Sequence, residues 1–308
     1  MYTRKITRKN PALIVILVDC SYSMSASWGT GELTLAQGAA YAVNRTLRDL
    51  VVNACDVNGE IYDYVNLAVV RYGVGEDGTE IDWKLGNVSE PNRGFATASE
   101  WAGAFLRIED VDLGISADSP GVGASQKLPI WIDPESEGWT PMVAAMLKAS
   151  QIVSSHISHT QGEKGWNGKD CFPPIVINIT DGVPQMPSSS YSNPDWIDFH
   201  KAARAITDQR TDDGNVLFFN IHLDETGAGN TILFPDTLPT HTEYAENMAK
   251  ASSILPAEMA RHGRKELKLQ INEEARGYCL NADFESLVAF LVIGTTIVTD
   301  GDDIPLEA

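Results

Sequence analysis

The chain has few of the features that mark secreted or membrane-spanning proteins. Its four cysteines include no Cys-x-x-Cys pair, which predicts a reducing, cytoplasmic setting rather than a disulfide framework. The late apolar stretch over residues 287–298 is too short to cross a bilayer. The basic N-terminus leads into a short apolar run with no small-residue cleavage site after it. We therefore expect a first strand there rather than a signal peptide.

Positive charge is also scarce. Among the 308 residues, 23 Lys and Arg stand against 42 Asp and Glu, for a net charge of −19. A surface with this field repels phosphate groups, so neither nucleic acid nor an anionic membrane is expected as the main partner. The short basic stretch Arg261–Lys268 also contains Glu266 and Leu267, which is typical of a solvated helix face.

What the chain does have is a repeated alternation of buried-strand patterns with amphipathic helical patterns. This order predicts an α/β fold with a doubly wound, mostly parallel central sheet flanked by helices. We expect a single domain over residues 1–308, with its core over about 11–299 and a long insertion over about 73–138. The predicted strands cover residues 13–18, 64–72, 175–180, 216–223 and 277–280, and the predicted helices cover 33–51, 140–157, 195–209, 244–260 and 284–293.

A short polar motif follows the first predicted strand. The apolar run Leu13–Val18 ends at Asp19-Cys20-Ser21-Tyr22-Ser23, which places one carboxylate and two hydroxyls at alternating positions. In open α/β sheets, ligands bind at the carboxyl ends of the strands. Oxygen ligands of this kind suit Mg²⁺ or Mn²⁺ better than zinc. Taken alone, the motif is also compatible with turn and capping chemistry.

Two further segments complete a predicted metal site. Thr140 precedes Pro141, and we expect these two residues to be the N-cap and the first residue of a helix. Asp181 follows a buried strand pattern in the same way as Asp19 does. If the two strands are neighbours, one crevice holds Asp19, Ser21, Ser23, Thr140 and Asp181.

These segments together resemble the metal-ion-dependent adhesion site of von Willebrand factor A domains. The family's Asp-x-Ser-x-Ser motif, its threonine and its second aspartate match, in order, Asp19, Ser21, Ser23, Thr140 and Asp181. Family members usually have Gly-Gly-Thr-Pro before the helix, whereas Trp139 replaces the second glycine here. The likeness covers about residues 13–298, is specific only at the motifs and the strands beneath them, and implies the Rossmann-like fold of that family.

The resemblance implies a binding module rather than an enzyme. In the family, the matching residues hold a Mg²⁺, with Mn²⁺ or Ca²⁺ as alternatives, and an open position takes an Asp or Glu side chain of a protein partner. The organisation is similar to bacterial cytoplasmic proteins of the tellurite-resistance type. It therefore implies an adaptor in a stress-response or signalling complex, beside a kinase, a phosphatase or an AAA ATPase.

Other interpretations stay open at the level of sequence. A metal-dependent hydrolase is an alternative use of the same oxygen cluster, although such enzymes usually need more carboxylates, often with histidine. A zinc site at His156, His159 and Cys171 lacks an evident fourth ligand, so we expect these histidines on a helix surface instead. Trp28 and the insertion are the expected determinants of partner choice.

Overall fold

The structure is a computed structural model that describes residues 2–28, 33–111, 126–160, 165–185, 196–223, 231–239 and 242–295. Within these ranges the strands are β1 Ala12–Asp19, β2 Asp56–Val57, β3 Glu60–Ile61, β4 Val65–Val74, β5 Glu80–Trp83, β6 Ala96–Thr97, β7 Arg107–Val111, β8 Gln126–Ile130, β9 Ile175–Thr180, β10 Arg210–Thr211, β11 Gly214–Asn215, β12 Leu217–Leu223, β13 Ile232–Leu233 and β14 Tyr278–Ala282. The α-helices are α1 Leu35–Leu50, α2 Ala98–Trp101, α3 Met142–Ile157, α4 Trp196–Thr207, α5 Glu243–Ala251, α6 Ala257–Lys265 and α7 Phe284–Gly294.

Parallel strands form the centre of the main sheet. Their spatial order is β4-β1-β9-β12-β14, while β5 and β6 pair antiparallel with β4, and β13 pairs antiparallel with β14. Numbered along the chain, the parallel strands have the order 2-1-3-4-5, which is a doubly wound arrangement. The predicted α/β fold with a mostly parallel sheet is confirmed. The winding of the chain reverses between β1 and β9.

Helices cover both faces of this sheet. Successive residues of β9 point to opposite faces. A methyl group placed on Gly294 of α7 would lie 3.0 Å from Ile177 Cδ1, so α7 packs on one face. On the other face, the Asn178 amide lies 3.6 Å from the sulfur of Met142 in α3. None of the described helices is long and apolar enough to cross a membrane.

Hydrophobic burial accounts for the position of β1 in the middle of the sheet. All residues of Ala12–Asp19 are buried, and apart from Asp19 all are apolar. Each buried Leu, Ile or Val side chain contributes about 1.5–3 kcal/mol relative to exposure. The one carboxylate of the strand is buried with them. Buried aspartates are rare unless they are paired or bind a ligand, which makes Asp19 a candidate for a functional role.

The described part of the predicted insertion packs against the core. β7 and β8 form an antiparallel hairpin that packs on Tyr41 of α1. The buried Asn44 side chain of α1 accepts hydrogen bonds from the backbone N–H groups of Trp131 and Ile132, at 2.8 and 3.1 Å. This side chain therefore fixes the end of the insertion to α1. Residues 112–125 lie outside the described ranges.

The helix predicted over residues 244–260 is wrong. This region forms two helices, α5 and α6, which residues 252–256 separate. Pro256 disfavours a helical backbone at the residue before it and is itself the N-cap of α6. The Leu255 N–H bonds instead to the Ala275 carbonyl at 2.8 Å. The apolar spacing of the two helices continues across the break, which is why the pattern predicted a single helix.

Candidate metal centre

The two carboxylates of the predicted site lie where the winding of the sheet reverses. Asp19 is the last residue of β1, and Asp181 follows the last residue of β9. These strands are parallel neighbours, with Val18 aligned with Ile179. The crevice at such a reversal is where doubly wound proteins bind ligands. The neighbouring strands that the predicted site requires are therefore present.

Hydrogen bonds connect four of the five predicted site residues. The Ser21 N–H donates to Asp19 Oδ1 at 2.8 Å, and the Ser21 and Ser23 hydroxyl oxygens are 3.1 Å apart. Ser23 Oγ donates to Asp181 Oδ1 at 2.9 Å. Asp19 and Ser21 are buried, whereas Ser23 is exposed. The cluster thus extends from the interior to the surface, so a bound cation could be reached by a partner.

The environment of Asp19 opposes its negative charge. The side chain is 1% exposed. Burial, followed by the charge of Asp181, raises the pKa of Asp19 to about 7, although hydrogen bonds from Thr180 and Ser21 act in the opposite direction. Thr180 Oγ1 donates to Asp19 Oδ2 at 2.5 Å. Two carboxylates at the end of a buried sheet, together with hydroxyls, are a donor set that fits a hard divalent cation.

Thr140 is brought to this cluster through its backbone segment. The Gly138 carbonyl accepts a hydrogen bond from the Tyr22 N–H at 2.7 Å, which ties the segment to the serine motif. On the other side, the Thr140 carbonyl accepts one from the Gln185 N–H at 3.0 Å, shortly after Asp181. Thr140 is buried and lies between the two segments that carry the carboxylates.

The expected capping role of Thr140 is wrong. α3 begins at Met142, and its N-cap is Pro141 rather than Thr140. Proline fixes its own φ and lacks an N–H, which suits the start of a helix without help from a neighbouring hydroxyl. The Thr140 hydroxyl therefore does not serve as the N-cap of α3.

A buried arginine anchors the same segment to the sheet. Arg71 of β4 donates through Nε and Nη2 to the Asp82 carboxylate of β5, at 3.0 and 2.6 Å. Its Nη1 lies 2.5 Å from a Glu135 oxygen. One planar guanidinium thereby joins two strands to the loop that leads to Thr140. We infer that Arg71 positions this loop.

The loop crosses other backbone segments without space for a side chain. A Cβ on Gly138 would lie 2.1 Å from the Gly73 carbonyl oxygen and 2.5 Å from the Gly78 carbonyl oxygen. Gly73 has a φ of +83°, and a Cβ there would lie 2.2 Å from the Trp139 carbonyl oxygen. The position of Thr140 therefore depends on glycines at this crossing.

We expect Gly138→Ala to displace Thr140 and to lower Mg²⁺ affinity at least tenfold, because the added methyl group must push the loop away from the site. Overpacking of this kind typically costs about 1–3 kcal/mol of stability. Calorimetric Mg²⁺ titration and thermal melting measure the two effects. Gly103→Ala is the matched control, since a Cβ there meets no atom within 4 Å in the described structure. Unchanged Mg²⁺ affinity in Gly138→Ala would show that the loop does not position a ligand.

A polar network that the sequence patterns did not predict runs beneath the site. Tyr72, aligned with Asp19, donates to Asn178 Oδ1 at 3.0 Å. Asn178 donates to Asn220 Oδ1 at 3.1 Å, and Asn220 donates to Ser252 Oγ at 3.0 Å. The network crosses the sheet from β4 to the end of α5. Its sequence signal is a single asparagine within each of two apolar strand patterns, since a buried amide needs partners.

Tyr22 is the exposed aromatic residue next to the cluster. It lies between the two site serines and is 74% exposed. Trp28, which the sequence suggested for partner choice, is half-buried: its Nε1 donates to the Ala282 carbonyl at 3.0 Å, and its ring packs edge-on against Phe284 at 6.0 Å. Trp28 therefore stabilises the fold, and Tyr22 is better placed to contact a partner.

The predicted surface location of His156 is wrong. His156 is fully buried, and its ring lies 5.3 Å from that of Phe95 and 4.8 Å from that of Trp166. The His159 ring stacks on the Trp166 ring, with 3.9 Å between their centroids. Among the described residues, no group of three or more His, Cys, Asp and Glu side chains could hold a metal ion. The oxygen cluster around Asp19 relies on hydroxyls instead.

Comparisons with known proteins assign neither a family nor a function to the chain. No protein-family model matches the chain, and no curated protein does. Solved structures that align with it include the pilus adhesin SpaC of Lactobacillus rhamnosus GG (12% identity, TM-score 0.43, 94% of this chain and 30% of that one). Another is proximal thread matrix protein 1 of the mussel byssus (14% identity, TM-score 0.40, 92% of this chain and 46% of that one). A third is the human COPII-coat protein Sec24c (11% identity, TM-score 0.31, 72% of this chain and 28% of that one). The chain spans less than half the length of each of these proteins, and at these TM-scores the likenesses support no conclusion about this chain.

Proposed function

We propose that the chain is a von Willebrand factor A-type binding module that holds one Mg²⁺ and captures an Asp or Glu side chain of a partner protein. The hydrogen-bonded series from Asp19 to Asp181, located at the reversal of the sheet, is the observation that supports this most. The proposed ligands are Asp19, Ser21, Ser23, Thr140 and Asp181, with Mn²⁺ or Ca²⁺ as alternative ions.

The residues of the chain organise this binding before a partner arrives. The Ser21 N–H and the Thr180 hydroxyl each hold one oxygen of Asp19, so the carboxylate is fixed in orientation. Ser23 and Thr140 supply neutral hydroxyls. A Mg²⁺ bound there supplies positive charge that neutral ligands do not cancel. A partner carboxylate is then attracted locally, although the chain as a whole carries a charge of −19.

We characterise the proposed partner by its role and by the chemistry of its binding surface. An adaptor in a bacterial stress-response or signalling complex, beside a kinase, a phosphatase or an AAA ATPase, is the role that the motif resemblance suggests. Tyr22 stands exposed next to the cluster and would add an amphipathic contact to the carboxylate–metal bond. The proposed partner surface therefore presents an acidic side chain beside a group that packs on Tyr22.

Calorimetric titration with Mg²⁺, Mn²⁺ and Ca²⁺ tests the metal site directly. We expect saturable binding of one ion to the wild type, a complete loss in Asp19→Ala and Thr140→Ala, and at least a tenfold weaker affinity in Ser23→Ala. Ser25→Ala is the matched control, because Ser25 is exposed in the same turn and is not a proposed ligand. Equal binding in Ser23→Ala and Ser25→Ala would contradict the assignment. A stoichiometry of two ions would favour the hydrolase alternative.

Capture of a carboxylate is tested by selecting an acidic peptide library on the Mg²⁺-loaded protein. We expect selected peptides to contain Asp or Glu, and their binding to be lost on adding a chelator or in Thr140→Ala. Replacing the acidic residue by its amide should have the same effect as removing the ion. If the selected peptides still bind in the presence of the chelator, the protein does not capture a carboxylate through its metal ion, and this part of the proposal is wrong.

A further inference from the structure

A cavity lies toward the amino ends of β1 and β4, at the opposite end of these strands from the metal centre. Its volume is about 710 Å³, and its lining includes Arg8, Lys9, Asn66 and Trp166. Cavities of 300–1,000 Å³ are the usual size of small-molecule sites. Asn66 of β4 is aligned with Leu13 of β1, six residues before Asp19. At about 3.3 Å per residue, the two sites are roughly 20 Å apart.

The Asn66 side chain has no partner in the described structure. The residue is 1% exposed, and within the described residues neither its Nδ2 nor its Oδ1 has a hydrogen-bond partner. Leaving both amide atoms unpaired is costly, so such a group in a native protein calls for a ligand or bound water. An amide offers one donor and one acceptor side by side. This pair complements the edge of a nucleobase, which also presents a donor beside an acceptor.

The mouth of the cavity carries positive charge in an otherwise acidic protein. Arg8 and Lys9 are both exposed there. The Arg8 guanidinium is held over the Tyr62 ring, 4.6 Å from its centroid. Two adjacent cations suit a phosphate group, particularly against a net charge of −19. Asp63 also lines the cavity, where its Oδ1 accepts a hydrogen bond from the Ser99 N–H at 2.8 Å.

We propose that this cavity binds a mononucleotide, with the phosphate at Arg8 and Lys9 and the base edge at Asn66. The buried Trp166 side chain, against which His159 stacks, also lines the cavity and contributes apolar surface to its wall. The site is separate from the metal centre, so neither proposal depends on the other.

Calorimetry in chelator, with the wild type and with Asp19→Ala, keeps phosphate binding at the metal centre out of the measurement. The probes are AMP, CMP, GMP and UMP, with ribose 5-phosphate and inorganic phosphate as ligands that lack a base. We expect at least one nucleotide to bind ten times more tightly than ribose 5-phosphate. Binding of all phosphates equally, or of none, would overturn the proposal.

Two variants assign the parts of the ligand. Asn66→Leu removes the unpaired amide and should fold at least as stably as the wild type, while the tenfold preference for the nucleotide disappears. Arg8→Glu should weaken every phosphate ligand about equally, and Lys265→Glu on the exposed face of α6 is the control of equal charge change. A nucleotide preference that survives in Asn66→Leu contradicts the role of the amide. If that variant fails to fold, unchanged nucleotide affinity in Arg8→Glu overturns the site.

Discussion

Asp19→Asn is expected to stabilise the metal-free protein while abolishing Mg²⁺ binding. Burial, followed by the charge of Asp181, raises the pKa of Asp19 from its ordinary value of 3.8 to about 7. At pH 8, the ionised carboxylate therefore makes the folded state less favourable by about 2–4 kcal/mol. An amide of the same shape removes that penalty and keeps an acceptor for the Ser21 N–H. The free energy of unfolding in chelator, measured by urea denaturation at pH 8, should rise by about this amount.

The sign of the pH dependence provides a second test of this prediction. A carboxyl whose folded pKa is raised destabilises the protein fully above pH 7 and not at all below about pH 4. The advantage of Asp19→Asn should therefore shrink as the pH falls through 7. Excess Mg²⁺ should raise the wild-type stability by about 3 kcal/mol at one hundred times its Kd and leave the variant unchanged. Asp208→Asn, at an exposed aspartate after α4, is the matched control.

A destabilised variant in chelator would contradict the account of Asp19. It would mean that the carboxylate is already neutralised within the folded chain and needs no cation. The stability gain and the loss of binding must occur together. Their combination is the signature of a residue retained for function at the expense of stability.

His156→Leu is expected to make the protein less sensitive to acid. Burial, with a smaller effect of His159, lowers the pKa of His156 from 6.5 to about 3. The unfolded chain takes up a proton at His156 below pH 6.5, whereas the folded chain does not. Stability is therefore lost as the pH falls below 6.5, by about 2 kcal/mol at pH 5. Leucine has a similar volume and no nitrogen to protonate.

Comparing the wild type with His156→Leu isolates the contribution of His156 to the pH dependence of stability. Asp19 changes stability with pH in the opposite direction, but it is present in both proteins and cancels in the difference. Urea denaturation at pH 8 and pH 5, with chelator throughout, should show the gap between variant and wild type widening by about 2 kcal/mol. Within the described structure neither ring nitrogen of His156 has a partner, so the variant should also fold well at pH 8. If the difference in the free energy of unfolding between variant and wild type is the same at pH 8 and pH 5, His156 is protonated in the folded protein.

Several features of the fold could be predicted from the sequence because they depend on local patterns. The apolar run of β1 and the alternation of strand and helix patterns predicted a mostly parallel sheet and the positions of its parallel strands along the chain. The strand over residues 175–180 has the predicted bounds. Periodicity could not separate α5 from α6, because their apolar positions stay in phase across Pro256. It also could not show that His156 is buried, since a polar residue near the end of a helix usually faces water.

The sequence by itself determined where hard oxygen ligands follow the strands, and hence which residues are candidates for a metal site. Only the tertiary structure decided that β1 and β9 are neighbours, which places Asp19 near Asp181 and links them through Ser23. It also decided that Thr140 is held by backbone contacts rather than by a helix cap. The physical reason is that strand pairing and loop crossings depend on hydrogen bonds and close contacts between residues far apart in the chain. Local propensity and spacing contain no information about those contacts.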